Sequence, residues 1–121
     1  RAEGFGLALA EMMYLGKPVI GTGWSASMDF MTPDNSIPVR YMLKPLEQAV
    51  GVYPAGQLWA EADVEHAAKS LQRLLDDPQL RREIGARAAQ DIRTQLSPAA
   101  VGELVRERLS LINYWHPQLR C

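Results

Sequence analysis

The chain has 121 residues, of which 47% are hydrophobic and 22% charged, and its formal net charge is −1 at pH 7. This composition is typical of a globular protein and gives no electrostatic case for binding nucleic acid or an anionic membrane. No apolar run approaches the roughly 20 residues that a membrane-spanning helix needs. The one cysteine, Cys121, excludes a disulfide framework within these residues and favours a reducing, cytoplasmic setting. The sequence opens at Arg1 without an initiator methionine, so we expect it to be a fragment of a longer protein.

The first elements in chain order are a helix and a strand. Residues 5 to 15 predict the helix, because apolar residues recur near one of its faces: Leu7, Ala10, Met13 and Tyr14. Gly16 follows at the position where a glycine commonly ends a helix. Residues 18 to 22 then predict a short buried strand, bounded by a proline and a glycine.

The middle of the chain is less regular. Residues 23 to 35 predict a loop, with one helical turn around residues 28 to 30. Residues 36 to 43 alternate apolar and polar side chains as a strand does, and the proline at their third position confines that strand to a sheet edge. Residues 44 to 58 predict no regular element, and their clearest turn lies at residues 53 to 56.

Three helices are predicted in the second half, each from a capping residue at its start. Asp63 caps the first, whereas Asp77 and Ser97 each precede a proline that opens the second and the third. The residues predicted to face inward are Val64, Ala67, Ala68, Leu71, Leu74 and Leu75 in the first helix, Leu80, Ile84, Ala88 and Ile92 in the second, and Val101, Leu104, Val105 and Ile112 in the third. The order of helix, strand, strand and helices predicts an α/β fold, half of a Rossmann-like sheet followed by a helical tail.

The most informative stretch is Glu3-Gly4-Phe5-Gly6 at the start of the first helix, with Glu11 further along it. The first N–H groups of a helix have no intrahelical partner and lie at the positive end of the helix dipole, so a helix start after glycines is a natural seat for phosphate. A side chain there would hold the phosphate away from the backbone. At about 1.5 Å per residue, the two glutamates lie about 12 Å apart. This spacing suits a nucleotide-sugar, with Glu3 at the sugar, the backbone N–H groups at the diphosphate and Glu11 at the ribose.

A simpler interpretation of the same residues stays open. Glu3 is then a solvated acid near a helix start, where the dipole favours negative charge, and Glu11 is an exposed helical residue. Short motifs of this kind often occur without function. The surroundings of Glu11, four apolar residues and no adjacent cation, favour the functional interpretation slightly.

These residues also resemble a known family. The run from Arg1 to Glu11, followed by Gly16-Lys17-Pro18-Val19-Ile20-Gly21-Thr22, resembles the Glu-x7-Glu motif and the next strand of the retaining glycosyltransferases of family 4. The resemblance continues through residues 23 to 31 and, more loosely, through Trp59-Ala60-Glu61 and the later helices. It implies the two-domain GT-B fold, with residues 1 to 121 forming part of the C-terminal, donor-binding domain and the N-terminal acceptor domain absent.

The resemblance implies a site as well. Glu3 contacts hydroxyls of the donor sugar and takes the catalytic role, the backbone of Gly4-Phe5-Gly6-Leu7 meets the sugar and the diphosphate, and Glu11 binds the ribose. The substrate is a nucleotide diphosphate-sugar, no metal or other cofactor is implied, and the acceptor (a glycan, a lipid or a small molecule) is not specified. One departure from the family is Ser25-Ala26-Ser27, where many relatives have Gly-Gly or Gly-Asn. Since Ala26 disfavours a positive φ that glycine accepts, we expect this loop and its sugar specificity to differ.

Other residues give weaker signals. Asp29 is a candidate for substrate contact, although an acid in a polar loop is more often a turn or cap residue. Three aromatic residues are candidates either for lining a sugar pocket or for packing in the core: Trp24, Phe30 and Tyr53. His66 and His116 have no partners at metal-ligand spacing, so no metal site is predicted.

Three functions remain in competition. The first is retaining transfer of a sugar from a nucleotide diphosphate-sugar to an acceptor hydroxyl by the full-length protein, with the fragment alone inactive. The second is a nucleotide-sugar epimerase of the same GT-B fold, and the unbroken run from Glu3 to Leu7 together with Glu11 favours the transferase over it. The third is a non-catalytic module that binds a nucleotide-sugar. The sequence distinguishes such a module poorly from an active enzyme, because the acceptor site and the basic residues that pair with phosphate are expected in the absent domain.

Overall fold

The computed structural model describes residues 4 to 115, which form a mixed α/β fold of four α-helices and four short strands. The elements in chain order are α1 (Leu7–Tyr14), β1 (Ile20–Thr22), a 3₁₀ helix (Ser25–Asp29), β2 (Ile37–Val39), β3 (Tyr41–Pro45), β4 (Leu58–Ala62), α2 (Val64–Asp76), α3 (Pro78–Gln95) and α4 (Pro98–Trp115). The predicted α/β class is therefore confirmed, and the Rossmann-like half of a larger sheet stays a prediction. None of the helices in this part of the chain combines the length and apolar character that crossing a bilayer demands.

The core lies beside a parallel pair of strands. β1 and β2 pair with Ile20 opposite Ile37 and Thr22 opposite Val39. Val19, one residue before β1, accepts the N–H of Ile37 at 2.9 Å. The main buried cluster draws on α1, the segment before β1, the loop after β1 and α3, through Ala10, Met13, Val19, Phe30, Met31, Ala88 and Ile92. The strand predicted at residues 18 to 22 is confirmed for Ile20–Thr22, which is partly rather than fully buried. Val19 lies just before it and is the residue that joins α1 in the core.

Two glycines with a left-handed backbone delimit α1. Gly6 precedes the helix at a φ of 90°, and Gly16 follows it at a φ of 71°. The N–H of Gly16 donates to the carbonyl of Met13 at 2.9 Å, and the N–H of Lys17 donates to that of Met12 at 2.9 Å. These two bonds form a Schellman motif, so the glycine stop predicted from the sequence is confirmed.

The end of α1 lies in close contact with α3. A side-chain carbon added to Gly85 of α3 would lie 2.2 Å from the carbonyl oxygen of Gly16. Arg93 of α3 donates to the carbonyl of Tyr14 at 3.0 Å, and its guanidinium carbon lies 4.9 Å from the centre of the Tyr14 ring. A cation at a helix C-terminus and over an aromatic face is favourable on both counts. The two helices are thus joined by backbone contact and by one arginine.

The structure contradicts the prediction for the middle of the chain. The strand predicted over residues 36 to 43 is broken at Arg40 into β2 and β3, and the unpredicted strand β4 pairs antiparallel with β3. We call residues 41 to 62 the β3–β4 hairpin. Strand β4 was not predicted for two reasons. The two strands are joined by the long connection of residues 46 to 57, so no local sequence pattern specifies their pairing. Neither strand has a fully buried residue, and exposed strands show little alternation of apolar and polar residues. The predicted turn is present in part, since residues 55 and 56 form a turn and Gly56 has a φ of 86°.

The last three helices begin at the predicted capping residues. The side chains of Asp63, Asp77 and Ser97 each accept the N–H three residues further on, at 2.8, 2.9 and 3.1 Å respectively. A capping residue acts on the neighbouring turn alone. The sequence therefore predicts the helix starts well.

The predicted burial of the helix faces is only partly confirmed. Ile84, Ala88 and Ile92 of α3 are buried, Leu74 is the buried member of the α2 set, and α4 has no buried residue. The residues predicted to face inward or to share the apolar face of the first helix that are instead exposed are Leu7, Tyr14, Val64, Ala68, Leu71, Leu75, Val101, Leu104 and Val105. Hydrophobic periodicity shows which residues share a helix face, but not whether another element covers that face.

One buried polar residue ties the loop before β2 to α3. The side-chain oxygen of Asn35 accepts the N–H of Thr32 at 2.7 Å. Its side-chain nitrogen donates to the carbonyl of Phe30 at 3.0 Å and to the carboxylate of Asp91 at 2.9 Å. Asp91 also pairs with Arg87 at 2.9 Å. Asn35 is completely buried, and these bonds satisfy both ends of its amide.

Candidate functional site

A pocket of about 490 Å³ lies where three segments of the chain meet. The start of α1 contributes Gly4, Phe5 and Leu9, the segment after β1 contributes Thr22, Trp24, Ser25, Ala26 and Ser27, and the β3–β4 hairpin contributes Tyr53, Leu58, Trp59 and Ala60. The volume falls within the range of about 300–1,000 Å³ that is usual for small-molecule sites. None of these described lining residues has a charged side chain.

The glycine turn at the start of α1 is fixed by conformation and by packing. Gly6 takes a φ of 90°, which glycine adopts without strain. A side-chain carbon added there would also lie 3.4 Å from the side chains of Leu9 and Phe30. The carbonyl of Gly6 accepts the N–H of Ala10 at 3.1 Å, which begins the hydrogen-bond ladder of the helix. The predicted arrangement, a glycine turn leading directly into a helix, is confirmed.

The segment after β1 forms the rim of the pocket. Trp24 donates its N–H to the carbonyl of Thr22 at 2.8 Å, and the hydroxyl of Ser27 donates to the carbonyl of Trp24 at 3.3 Å. Ser25 has a φ of 65° and is the one non-glycine residue among residues 4 to 115 with a positive φ. The left-handed position therefore lies at Ser25, the first residue of the 3₁₀ helix, and not at Ala26, which follows it in that helix.

Aromatic side chains form part of the lining. Trp24 packs on Tyr41 with ring centres 5.2 Å apart, and Tyr53 meets Trp59 edge to face at 5.6 Å. Of the three aromatic candidates named from the sequence, Trp24 and Tyr53 line the pocket. Phe30 instead belongs to the buried core. The pocket thus combines aromatic faces with the hydroxyls of the rim.

Three residues hold the base of the β3–β4 hairpin. The carbonyl of Arg40 accepts the N–H of Asp63 at 2.8 Å, and the N–H of Arg40 donates to Nδ1 of His66 at 3.1 Å. The guanidinium of Arg40 pairs with the carboxylate of Asp63 at 2.9 Å. The N–H of His66, donated to that carboxylate, and the nearby Arg40 cation lower the pKa of Asp63 from its ordinary value of 3.8. The base therefore joins both strands of the hairpin to the first turn of α2.

The structure brings together some of the predicted site residues. Gly4 and Phe5 line the pocket. Leu7 and Glu11 are exposed on α1 and lie outside the lining. Glu3 falls outside the described residues, so its predicted contact with the donor sugar stays a prediction, as does the contact of Glu11 with the ribose.

Sequence reasoning missed the contribution of the hairpin. Leu58, Trp59 and Ala60 line the pocket although no strand is predicted there, and the one available signal was the loose resemblance around Trp59. Asp29 is exposed and does not line the pocket. Within the described residues, no group of three or more His, Cys, Asp or Glu side chains is arranged to hold a metal ion. His116 and Cys121 lie outside those residues.

A second cavity of about 620 Å³ lies between β2, α2 and α3. Its lining mixes charges of both signs, including Arg73 and Arg87 with Asp34 and Glu83. Arg87 is already paired with Asp91. We place the candidate site at the smaller cavity, because it joins the glycine turn to uncharged polar and aromatic groups, the usual lining of a ligand site.

Comparison with known proteins adds no relative. No protein-family model matches the chain, and no curated protein matches it significantly.

Proposed function

We propose that this chain is the donor-binding part of a retaining glycosyltransferase, which transfers a sugar from a nucleotide diphosphate-sugar to an acceptor hydroxyl. The observation that carries the proposal is the glycine turn of Gly4 and Gly6, which opens α1 beside a pocket of about 490 Å³. The resemblance of the run from Glu3 to Glu11 to the family 4 motif supports the same function. The single cysteine supports a cytoplasmic location, and GT-B architecture with a separate acceptor domain belongs to the same proposal.

In this proposal the diphosphate binds at the start of α1. Backbone N–H groups in the first turn of a helix point out of its N-terminus, and the helix dipole adds positive potential there. Gly4, which is exposed and lines the pocket, has no side chain to hold a phosphate away from the backbone. The pocket beside the turn, with no charged side chain among its described lining residues, would then take the neutral sugar.

The two glutamates take different parts in the proposal. Glu3, directly before the turn, accepts hydrogen bonds from hydroxyls of the transferred sugar. Glu11 lies eight residues further along the sequence, in the second turn of α1, and accepts from the ribose hydroxyls at the other end of the diphosphate. Because Glu11 is exposed and lies outside the pocket lining, the ribose would bind along α1 rather than within the pocket.

The reaction exchanges one bond at the anomeric carbon for another. The acceptor hydroxyl oxygen bonds to that carbon as its bond to the diphosphate oxygen breaks. The electron pair of the broken bond leaves with the diphosphate, and the hydroxyl proton passes to an oxygen of the departing diphosphate. Fixed N–H dipoles at the start of α1 would stabilise the negative charge that develops on that group.

Kinetics of the full-length enzyme test the proposal, with release of nucleoside diphosphate measured across a panel of nucleotide-sugars. We expect Glu11→Gln to weaken donor binding by about 1.5–3 kcal/mol, because ribose contacts are equal in the ground and transition states. We expect Glu3→Gln to lower kcat even at saturating donor, because the sugar gains positive charge as its bond breaks. Glu107→Gln, an exposed acid on α4, is the matched control and should change neither constant.

Three results would separate the alternatives. Near-wild-type constants for both site variants would remove the assignment of the two glutamates. Donor binding without release of nucleoside diphosphate would identify a non-catalytic module. Recovery of a stereoisomer of the sugar as the product would identify an epimerase.

A further inference from the structure

We infer that His66 is a pH-sensitive switch at the base of the β3–β4 hairpin, and that it controls how firmly the hairpin holds its wall of the pocket. With a neutral imidazole, His66 attaches the base of the hairpin to α2. With a protonated imidazole, this attachment is lost and the hairpin is released. The inference goes beyond the proposed function, because it concerns the pocket wall and holds for any ligand that the pocket takes.

The hairpin joins the rest of the fold at Arg40, the residue between β2 and β3. Strands β3 and β4 form a sheet of their own, separate from the pair β1 and β2, so the ladder of strand hydrogen bonds is interrupted at this joint. Beyond the joint, the hairpin contributes four residues to the pocket wall: Tyr53, Leu58, Trp59 and Ala60. A change at Arg40 therefore bears on the position of that wall.

The bond between Arg40 and His66 depends on the charge of the imidazole. The backbone N–H of Arg40 donates to Nδ1 of His66 at 3.1 Å. Accepting this bond takes the lone pair of Nδ1, so the neutral ring carries its proton on Nε2. A protonated imidazole has an N–H on both nitrogens and accepts at neither. Uptake of one proton therefore turns a hydrogen bond into a contact between two donors.

The surroundings of this bond allow the ring to leave it. His66 lines the cavity of about 620 Å³ between β2, α2 and α3, which gives the ring space to turn. Arg40 is exposed, so water can accept its N–H once the ring has turned away. The attached and released states then differ in free energy by little more than one hydrogen bond, as a two-state switch requires.

Charged groups of both signs surround His66. Its own N–H donates to the carboxylate of Asp63 at 2.8 Å, and that carboxylate pairs with Arg40. The other charged residues that line the cavity or neighbour His66 on α2 are Asp34, Glu65, Lys69, Arg73, Glu83 and Arg87. The carboxylates favour a protonated ring and the cations a neutral one. The direction of the switch is set by the bond itself: because only the neutral ring accepts it, a falling pH favours release.

Hydrogen exchange in the 121-residue chain between about pH 8 and about pH 5, where histidines ordinarily change charge, tests the inference. The reporters are the N–H groups of Arg40, Leu46 and Asp63, which bond at the base of the hairpin or within it. Protection factors, which correct for the effect of pH on exchange itself, should fall about fivefold towards pH 5. The N–H groups within α2 should keep their protection. Asp63 does not titrate in this range, since its pKa is lowered from 3.8.

Three variants assign the change to one side chain. His66→Asn keeps an acceptor, the side-chain oxygen, but cannot titrate, so protection should stay at the high wild-type value at every pH. His66→Ala removes the acceptor and should give the low value throughout. His116→Asn changes the other of the two histidines and should keep the wild-type pH dependence. Unchanged protection within α2 shows that each variant is folded.

Several outcomes would overturn the inference. One is constant protection of the three reporters in the wild-type chain, and another is a ring of His66 that takes up no proton down to pH 5, as followed by NMR. A pH dependence that survives in either His66 variant, or that disappears in His116→Asn, would also reject it.

Ligand binding tests the link to the pocket. For a nucleotide-sugar that binds, the Kd should rise about fivefold from pH 8 to pH 5 in the wild type and stay constant in His66→Asn. A wild-type Kd that does not change would overturn the control of the pocket by the hairpin. Failure of every nucleotide-sugar to bind would reject the proposed function, whereas the hydrogen-exchange result would still decide the role of His66.

Discussion

Asn35 illustrates how much of this fold depends on single polar side chains. It is completely buried, and its amide bonds the backbone of Thr32 and Phe30 as well as the carboxylate of Asp91. The sequence places Asn35 in a polar loop, where an exposed turn residue is the ordinary expectation. Its burial could not be predicted, because Asp91, the partner that draws it inward, lies 56 residues further along the chain.

We predict that Asn35→Ala destabilises the protein substantially. Three hydrogen bonds are lost, each worth about 0.5–1.5 kcal/mol net, so the free energy of unfolding should fall by about 3 kcal/mol. Urea denaturation of the two proteins measures the difference. Asp34→Ala, at the exposed neighbouring position, should have little effect. An equal loss in both variants would show that the buried network is not the cause.

Asp63 gives a prediction about acid stability. Its lowered folded-state pKa means that the carboxylate stabilises the fold above the ordinary value of 3.8, and that this contribution is lost as the pH falls through the lowered pKa. Asp63→Asn removes the charge that the N–H of His66 and the Arg40 cation stabilise. We therefore expect the variant to be less stable than wild type near neutral pH, with the difference shrinking as the pH drops below 3.8.

The measurement is the free energy of unfolding as a function of pH. Asp34→Asn, an exposed carboxylate for comparison, should follow the wild-type curve. A difference between Asp63→Asn and wild type that stays constant down to the lowest pH would mean that the lost charge plays no part.

At the scale of elements, the contact between α1 and α3 depends on two glycines. A side-chain carbon at Gly85 would lie 2.2 Å from the carbonyl oxygen of Gly16, a distance that requires backbone movement. Gly85→Ala should therefore lower the free energy of unfolding by about 1–3 kcal/mol through overpacking. Gly102→Ala in α4 meets no atom within 4 Å and should instead raise it by about 0.5–1 kcal/mol, the helix preference for alanine.

Thermal and urea denaturation of both variants check this pair. The same substitution, glycine to alanine, is made in two helices. Opposite changes in the free energy of unfolding would therefore separate the effect of packing from that of helix propensity. Stabilisation by Gly85→Ala would contradict the close approach of α3 to the end of α1.

Some of these elements could be predicted from the sequence and others could not. The starts of α2, α3 and α4 were predictable, because Asp63, Asp77 and Ser97 each act within one turn. The glycine turn at Gly6 was predictable for the same reason. β4 was not, because its pairing with β3 is non-local. The contribution of Leu58, Trp59 and Ala60 to the pocket wall therefore came from the structure alone, whereas the phosphate-binding interpretation of the helix start came from the sequence.

At the scale of the whole molecule, the described residues expose much apolar surface and offer the pocket no charge. Val64 is 76% exposed and Trp115 is 71% exposed, and no residue of α4 is buried. The described pocket lining has no cation to pair with a diphosphate. In the proposed reaction, backbone dipoles would then be the main support for the leaving group among residues 4 to 115.

We predict that the 121 residues alone bind a nucleotide-sugar weakly and do not transfer the sugar. Release of nucleoside diphosphate by this chain and by the full-length protein, with the same donor and acceptor, makes the comparison. Binding of the donor to both, with turnover by the full-length protein only, is the expected result. Turnover by the 121 residues would show that the second domain is not needed.

Ser25 has a consequence for how the pocket responds to heat. A serine at a φ of 65° is in a conformation that L-residues disfavour, and the surrounding structure has to keep it there. When neighbouring contacts loosen, this residue relaxes first, because relaxation is downhill for it. The rim should therefore lose its shape at a lower temperature than the core melts, and affinity for a ligand should disappear while the helices are still intact.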